Sequence, residues 1–497
     1  MNRQIHQVTI LVLVMFLTLC ASVTSVQGLA RPALWEASSS QGTLTTDSRN
    51  SRTVYAEFGT DRGQIIVGSD AIADSIPSDD AYAYQRTYPQ GELYAPVTGY
   101  FSTYFASTTG LEQASNKLLN GEDPSLFSSR VKSLITGQTQ QGGSLELTID
   151  PEVQQAAWDA LAGRRGSVVA LNPSTGAILA MVSSPSYDPN QLASHDGETA
   201  QAAWDALISD EGRPLDNRAT GGNLYPPGST FKILTVAAGL RTGKITANSE
   251  VDAPNTLTLP GTNHALTNYA EESCGNGRVT LAYAFAESCN TPFAQLAMDV
   301  GDEALVDEAS RWGFGADLSI PLPVSRSVYP ANDEPAQTAM AGIGQQSVRT
   351  TPLMMAMVAA TVANDGEQMT PYLISQTLDA DLQVVSTTKP TVARTPIDSQ
   401  TAATLTSLMQ QVVSDGTGTS AQVAGVSVAG KTGTAQTGSD DGGPITWFIG
   451  FAGTDINNPT VAVAVVLDGG EQIPTTGTGG SVAGPIAASV IDAAVDQ

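Results

Sequence analysis

The chain has 497 residues, with 23 Lys+Arg against 49 Asp+Glu and a formal net charge of −26. That length fits about three domains. Its 41% hydrophobic and 14% charged content is that of a globular protein, not a disordered or fibrous one. The acidity excludes a broad basic footprint for nucleic acid. His6, His195 and His264 neighbour no second candidate ligand, so neither a metal nor a cofactor is expected.

The first element is an apolar run. Gln7 to Ala30 carries no charge, and Val8–Val26 is nearly continuous apolar chain. As a helix it would span about 28 Å, one bilayer core. Arg3 precedes it, which puts residues 1–7 in the cytoplasm and the rest outside. The expectation is a retained single-pass anchor at 8–28. The alternative is a cleaved signal peptide, but no A-x-A site follows. Cys20 follows Leu19, where a lipoprotein signal wants a small residue.

Residues 29–52 are rich in Ser, Thr and Gly and read as linker. Arg62-Gly63-Gln64-Ile65-Ile66 predicts a turn entering a strand, and Leu111–Leu119 a helix. No catalytic constellation lies here, so residues 29–144 are expected to be linker and a small, elongated, non-catalytic pedestal. The second domain, 145–497, opens on Leu145–Ile149, which alternates like a strand. Asp150-Pro151-Glu152 then marks the start of a helix through about Leu161. Ser167–Asn172 and Ala177–Ser183 predict a hairpin around Pro173–Gly176. A helix-rich middle follows. Three more strands are expected at Gly425–Gln436, Thr446–Gly453 and Thr460–Asp468, with a last helix near Val482–Val495. This order implies an α+β domain, an antiparallel sheet with segregated helices.

Three short motifs carry chemistry. In Tyr225-Pro226-Pro227-Gly228-Ser229-Thr230-Phe231-Lys232, the Pro and Gly break the chain before a mostly apolar helix. Ser229 then falls at a helix amino terminus with Lys232 one turn on. A serine needs a base to become a nucleophile, and a desolvated lysine can be that base. Alone, the same residues also suit an N-cap serine beside a surface lysine. Ser288-Cys289-Asn290 precedes Pro292 and supplies a proton-relaying hydroxyl and an amide, or merely a helix cap. Lys431-Thr432-Gly433-Thr434 follows an alternating segment, and an edge strand or a bulge is expected there. A cation and two hydroxyls suit a carboxylate.

Two look-alikes are rejected. Gly425 to Thr432 fits the phosphate-loop expression, but its variable residues suit a strand and no helix follows. Gly416-x-Gly418-x-x-Ala421 follows a helical segment, not the strand a dinucleotide fingerprint needs.

Together, S-x-x-K, S-x-N and K-T-G in this order form the set of penicillin-binding proteins and class A β-lactamases. Asn217-Arg218-Ala219, Gly342–Gln345 with Thr351-Pro352, Ala429–Gln436 and Trp447–Phe451 are similar to class B penicillin-binding proteins, monofunctional D,D-transpeptidases. Arg62–Ile65 resembles that class's amino-terminal box. The resemblance covers about residues 55–495, and the length and single anchor are similar to actinobacterial members.

That resemblance implies a serine D-Ala-D-Ala transpeptidase of the penicillin-binding fold, which cross-links peptidoglycan stem peptides and is acylated by β-lactams. Ser229 would be the nucleophile, Lys232 its base, and Ser288 a relay between Lys232, Lys431 and the leaving amine. Asn290 would position the donor peptide, Gly433 would admit it, and Thr432 and Thr434 would hold its terminal carboxylate. The backbone N–H groups of Ser229 and Thr434 would form the oxyanion hole. Residues 29–144 are too short for a glycan-polymerising domain, so a separate polytopic SEDS-type polymerase and other cell-wall assembly proteins are implied as partners. The competing readings are a serine β-lactamase, a D,D-carboxypeptidase and a non-enzymatic scaffold. Finally, Cys274 and Cys289 form an even pair outside the membrane and are expected to bridge, two buried thiols being the alternative.

Overall fold

The computed structural model describes residues 12–20, 59–127, 135, 141–263, 265–268, 273–318, 320–435, 443–469, 473–474 and 476–495. Residues 12–20 form a helix with exposed side chains. The rest of the expected anchor at 8–28, the tail before it and the linker at 29–52 lie outside the described residues. Among the described residues no helix is long and apolar enough to cross a membrane.

In chain order the main elements begin with β1 (Ile65–Val67), β2 (Asp70–Pro77), β3 (Tyr84–Thr87) and β4 (Ser144–Leu147). Then come α1 (Pro151–Leu161), β5 (Gly166–Leu171), β6 (Ile178–Ser184) and α2 (Lys232–Arg241). The middle holds β7 (Thr256–Thr258), β8 (Ala265–Thr267), α3 (Leu281–Ala286), α4 (Thr291–Val300) and α5 (Pro352–Ala363). The chain closes with β9 (Ile374–Leu378), β10 (Val384–Thr387), α6 (Ser399–Ser414), β11 (Ser427–Ala435), β12 (Ile445–Gly453), β13 (Val461–Leu467) and α7 (Gly484–Val495).

The larger sheet-and-helix body is built on five antiparallel strands in the order β11-β12-β13-β5-β6. Strand β13 shows why helices cover both faces. Val461, Val463, Val465 and Leu467 pack with α1 and α7, whereas Ala462, Ala464 and Val466 face the core that holds α5. A strand buried on both faces reads as an unbroken apolar run, and both layers follow from the period of two. Helix α1 starts as the sequence predicts. Asp150 accepts hydrogen bonds from the N–H groups of Glu152 and Val153, and Pro151 occupies the first turn.

A second sheet runs β10-β9-β4-β1-β2-β3. It takes in the strand expected at Leu145–Ile149, here Ser144–Leu147. β4 pairs parallel with β1 and antiparallel with β9, so this sheet takes strands from both sides of residue 145. Alternation in sequence gives a strand its faces but not its neighbours. The short helices Gly110–Ala114 and Asn116–Leu119 cover the region expected to be helical. They place a carboxylate among cations. Glu112 takes Nε of Arg62 and Nε of Arg86, each at 2.6 Å, with all three side chains almost fully buried. The Tyr88 hydroxyl donates to the same carboxylate at 3.2 Å, and Arg62 lies 4.5 Å from the Phe101 ring centroid.

Candidate active site

Ser229 sits on a 3-10 turn, Gly228–Phe231, that leads into α2. The sequence predicts a plain helix start. Two prolines and Gly228, at φ +54°, tighten that start into the shorter-period turn. The turn is fixed on three sides. The Gly228 N–H donates to Gly344 O at 2.9 Å, the Thr230 hydroxyl to Pro227 O at 2.7 Å, and the Trp447 indole N–H to Pro226 O at 3.0 Å. β11 presses against the same turn. A Cβ at Gly433 would lie 2.9 Å from Pro227 O, so only glycine permits the approach.

β11 is the edge strand that the third motif implied. Of the two alternatives, edge strand or bulge, it is the edge, since β11 pairs with β12 in unbroken register from Ser427↔Gly453 to Ala435↔Ile445. Lys431 and Gly433 therefore share one face, and Thr432 and Thr434 share the other. Gln436 lies outside the described residues. The Thr432 hydroxyl meets Thr417 Oγ1 at 2.6 Å, and Thr434 Oγ1 accepts the Gly479 N–H at 3.2 Å.

The second motif lies between α3 and α4. Ser288 follows the end of α3 with φ +56°, a left-handed conformation unusual for a side chain other than glycine. Its neighbour Cys289 is bonded to Cys274, with a Cα–Cα distance of 6.0 Å, while Cys20 is free.

Two lysines converge on this segment, both fully buried. Lys232 Nζ donates to Ser288 O at 2.7 Å, Cys289 O at 2.9 Å and Asn290 Oδ1 at 3.0 Å. Lys431 Nζ donates to Ser288 Oγ at 2.7 Å and to Thr432 O at 3.1 Å. Each ammonium also lies 5.4 Å from a ring centroid, of Phe293 and Phe285 respectively. Among the described residues no carboxylate pairs with either lysine, and no hydrogen bond joins Lys232 to Ser229. Burial pushes Lys431 down to about 7. Burial pushes Lys232 well below its usual value too, and the Lys431 charge adds to the shift.

Ser229, Ser288, Asn290, Thr432, Gly433 and Thr434 line one cleft of about 470 Å3. Lys232 and Lys431 lie beneath that lining. Thr417, Thr419, Ser420 and Thr478–Ser481 also line it, and the motif search missed all of them. The signal at Thr417 lay inside the segment set aside as a false dinucleotide fingerprint. Its physical content is a polar turn after α6, which Thr432 makes part of the site.

Comparison with known proteins agrees with this geometry. The model of the penicillin binding protein transpeptidase domain matches residues 166–492, and that of the penicillin binding protein A dimerisation domain matches 62–145. The peptidoglycan D,D-transpeptidase PbpA of Mycolicibacterium smegmatis is 42% identical, over 100% of both chains. PbpA of Mycobacterium tuberculosis is 40% identical, over 100% of this chain and 99% of its own. The solved ceftriaxone acyl-enzyme complex of M. tuberculosis penicillin-binding protein A is 42% identical. It covers 88% of this chain and 99% of its own, with a TM-score of 0.84. Pseudomonas aeruginosa PBP2 is more distant, at 31% identity and a TM-score of 0.70, over 87% of this chain and 95% of its own. The three motifs in one cleft, a transpeptidase fold preceded by a dimerisation domain, and full-length similarity to PbpA proteins together place this chain among the class B penicillin-binding proteins.

Proposed function

We infer that the protein is a peptidoglycan D,D-transpeptidase working through a serine acyl-enzyme. The observation that carries this is the convergence of Ser229, two buried lysines and the Ser288–Asn290 segment on one polar cleft. Full-length similarity to D,D-transpeptidases and to a β-lactam acyl-enzyme supports it.

Lysine chemistry gives the first step. A neutral Lys232 has two N–H donors and a lone pair. It then satisfies two of its three acceptors and turns the lone pair to Ser229. Ser229 Oγ attacks the carbonyl carbon of the penultimate D-Ala, and its proton passes to Lys232. The oxyanion is held by the N–H groups of Ser229 and Thr434. Collapse breaks the peptide C–N bond, and the leaving D-Ala nitrogen takes a proton through Ser288, which Lys431 orients. A stem-peptide amine then attacks the ester, releases Ser229 and forms the cross-link. Asn290 holds the donor strand, Gly433 lets it approach β11, and Thr432 and Thr434 receive its carboxylate. A β-lactam forms the same ester by opening its ring.

Residues 8–28 would anchor the enzyme in the cell membrane, with residues 1–7 inside, the 29–144 segment as linker and pedestal, and 145–497 catalytic outside. The apolar run supports this, as does the need to reach extracytoplasmic substrate. A separate SEDS-type polymerase would supply the glycan strand. Amino-terminal sequencing from the membrane fraction is expected to begin at the initiator end. A chain starting between Gln27 and Leu34 would mean cleavage instead.

Incubation with penicillin is expected to add one drug mass, mapped to Ser229 and slow to leave. An adduct on another serine would overturn the assignment, and rapid turnover would mean a β-lactamase. Products from a D-Ala-D-Ala donor, with and without acceptor amine, separate a transpeptidase from a carboxypeptidase.

A further inference from the structure

The second motif is held by a residue outside all three motifs. Helix α4 begins at Thr291 with Asn290 as its N-cap, yet the Asn290 side chain makes no cap hydrogen bond. Its carboxamide is used elsewhere. Oδ1 accepts from Lys232 at 3.0 Å, and Nδ2 donates to Thr267 O at 3.1 Å. The Asn290 and Thr291 N–H groups, which an N-cap side chain does not serve, need an acceptor of their own. Asn268, next after β8, supplies it. Its Oδ1 accepts the Asn290 N–H at 2.8 Å and the Thr291 N–H at 3.2 Å. Pro292, next in the helix, has no N–H to satisfy.

Asn268 is 6% exposed and touches the cleft. The two backbone donors settle which end of its carboxamide is oxygen. Nδ2 is buried and has no hydrogen-bond partner among the described residues. Holding the start of a helix therefore explains half of this side chain, and the other half donates to none of them. Thr291 adds a tether to the same corner, its hydroxyl donating to Pro254 O at 2.7 Å.

We propose that Asn268 is a positioning residue for acylation: by accepting the Asn290 and Thr291 N–H groups it fixes the backbone from which the Asn290 carboxamide holds Lys232. The inference rests on the transpeptidase reading for its chemistry, but on the capping geometry for its placement. Without the Asn268 oxygen, the Asn290 and Thr291 N–H groups are left unpaired, and the 288–290 segment that supplies all three Lys232 acceptors loses its anchor. The orientation of Lys232 beneath Ser229 is then no longer fixed. A carboxylate at 268 would still accept both N–H groups. It would also bring a negative charge near Lys232, whose charged neighbour among the described residues is Lys431.

The test compares wild type, Asn268→Leu and Asn268→Asp in their rate of β-lactam acylation against pH, with melting curves for each. Asn268→Leu should acylate about 5- to 30-fold more slowly. Asn268→Asp should recover most of the rate, with its acidic limb moved to higher pH, because a carboxylate stabilises the protonated lysine. Lysine Nζ titration by NMR should show Lys232 moving the same way in Asn268→Asp, independently of turnover. Wild-type acylation by Asn268→Leu would overturn the proposal. So would equal losses in both variants with an unmoved pH profile and unmoved titration. If Asn268→Leu fails to fold, the Asn268→Asp profile and titration decide alone. A wild type that takes up no β-lactam would instead sink the transpeptidase reading and leave the titration to judge Asn268.

Discussion

Replacing Lys232 by Ala is expected to slow acylation of Ser229 by about 10^2–10^4-fold, the usual worth of a placed general base. The substitution removes the buried amine at the start of α2, three residues after Ser229, and leaves Ser288 O, Cys289 O and Asn290 Oδ1 without their shared donor. Lys431→Ala should be milder, because that amine reaches Ser288 rather than the nucleophile. Stopped-flow acylation with a fluorescent penicillin measures both. Equal, small losses would remove Lys232 from the base role. The pH profile carries a sign as well. On this reading the base must be neutral, and burial together with the Lys431 charge lowers Lys232 well below its usual 10.5, which raises the neutral fraction. Acidification protonates it, and Lys431 takes its own proton as pH falls through about 7. The acylation rate should therefore fall on the acid side.

Glu112→Gln is expected to destabilise the region around β1–β3 by about 3–5 kcal/mol, the range for breaking a buried ion pair on one side. Two arginines would remain in the interior with no anion between them. Burial opposes the Glu112 charge, but Arg86 and Arg62 outweigh it and hold its pKa below the usual 4.5. A depressed carboxylate contributes stability above its unfolded pKa and loses it as pH falls through the folded one. Wild type should thus soften as pH falls below the usual 4.5, and Glu112→Gln should lack that transition. Thermal melts across pH read both effects. An unchanged melting temperature at pH 7 would show that the cluster contributes nothing net.

What was legible followed from local rules. Asp150-Pro151 marked α1 because capping is chemistry between near neighbours. The period of two in 461–467 gave β13 its two buried faces. The motifs Ser229, Ser288 and Lys431 were legible because each holds its chemistry within four residues. Partners across the chain were not legible. Nothing in Leu145–Leu147 says that it lies between β1 and β9, or that Thr417 meets Thr432. Asn268 was silent for the same reason, since its cap is offered to a helix 23 residues away.

The two buried lysines have a consequence for how firm this protein can be. In the unfolded chain each amine is free to hold its proton up to about pH 10.5. Folding takes that freedom away. A base whose folded pKa is depressed gives full stability only above its unfolded pKa, and the fold weakens as pH drops towards the folded value. For Lys431, lowered from 10.5 to about 7, the penalty at neutral pH is on the order of 4 kcal/mol. Among the described residues no carboxylate offsets it. Methionine in either position would give a sturdier but less active molecule, the more so at 232. The catalytic centre is thus held in tension against the core around it, and the doubly buried strands beneath must supply the margin.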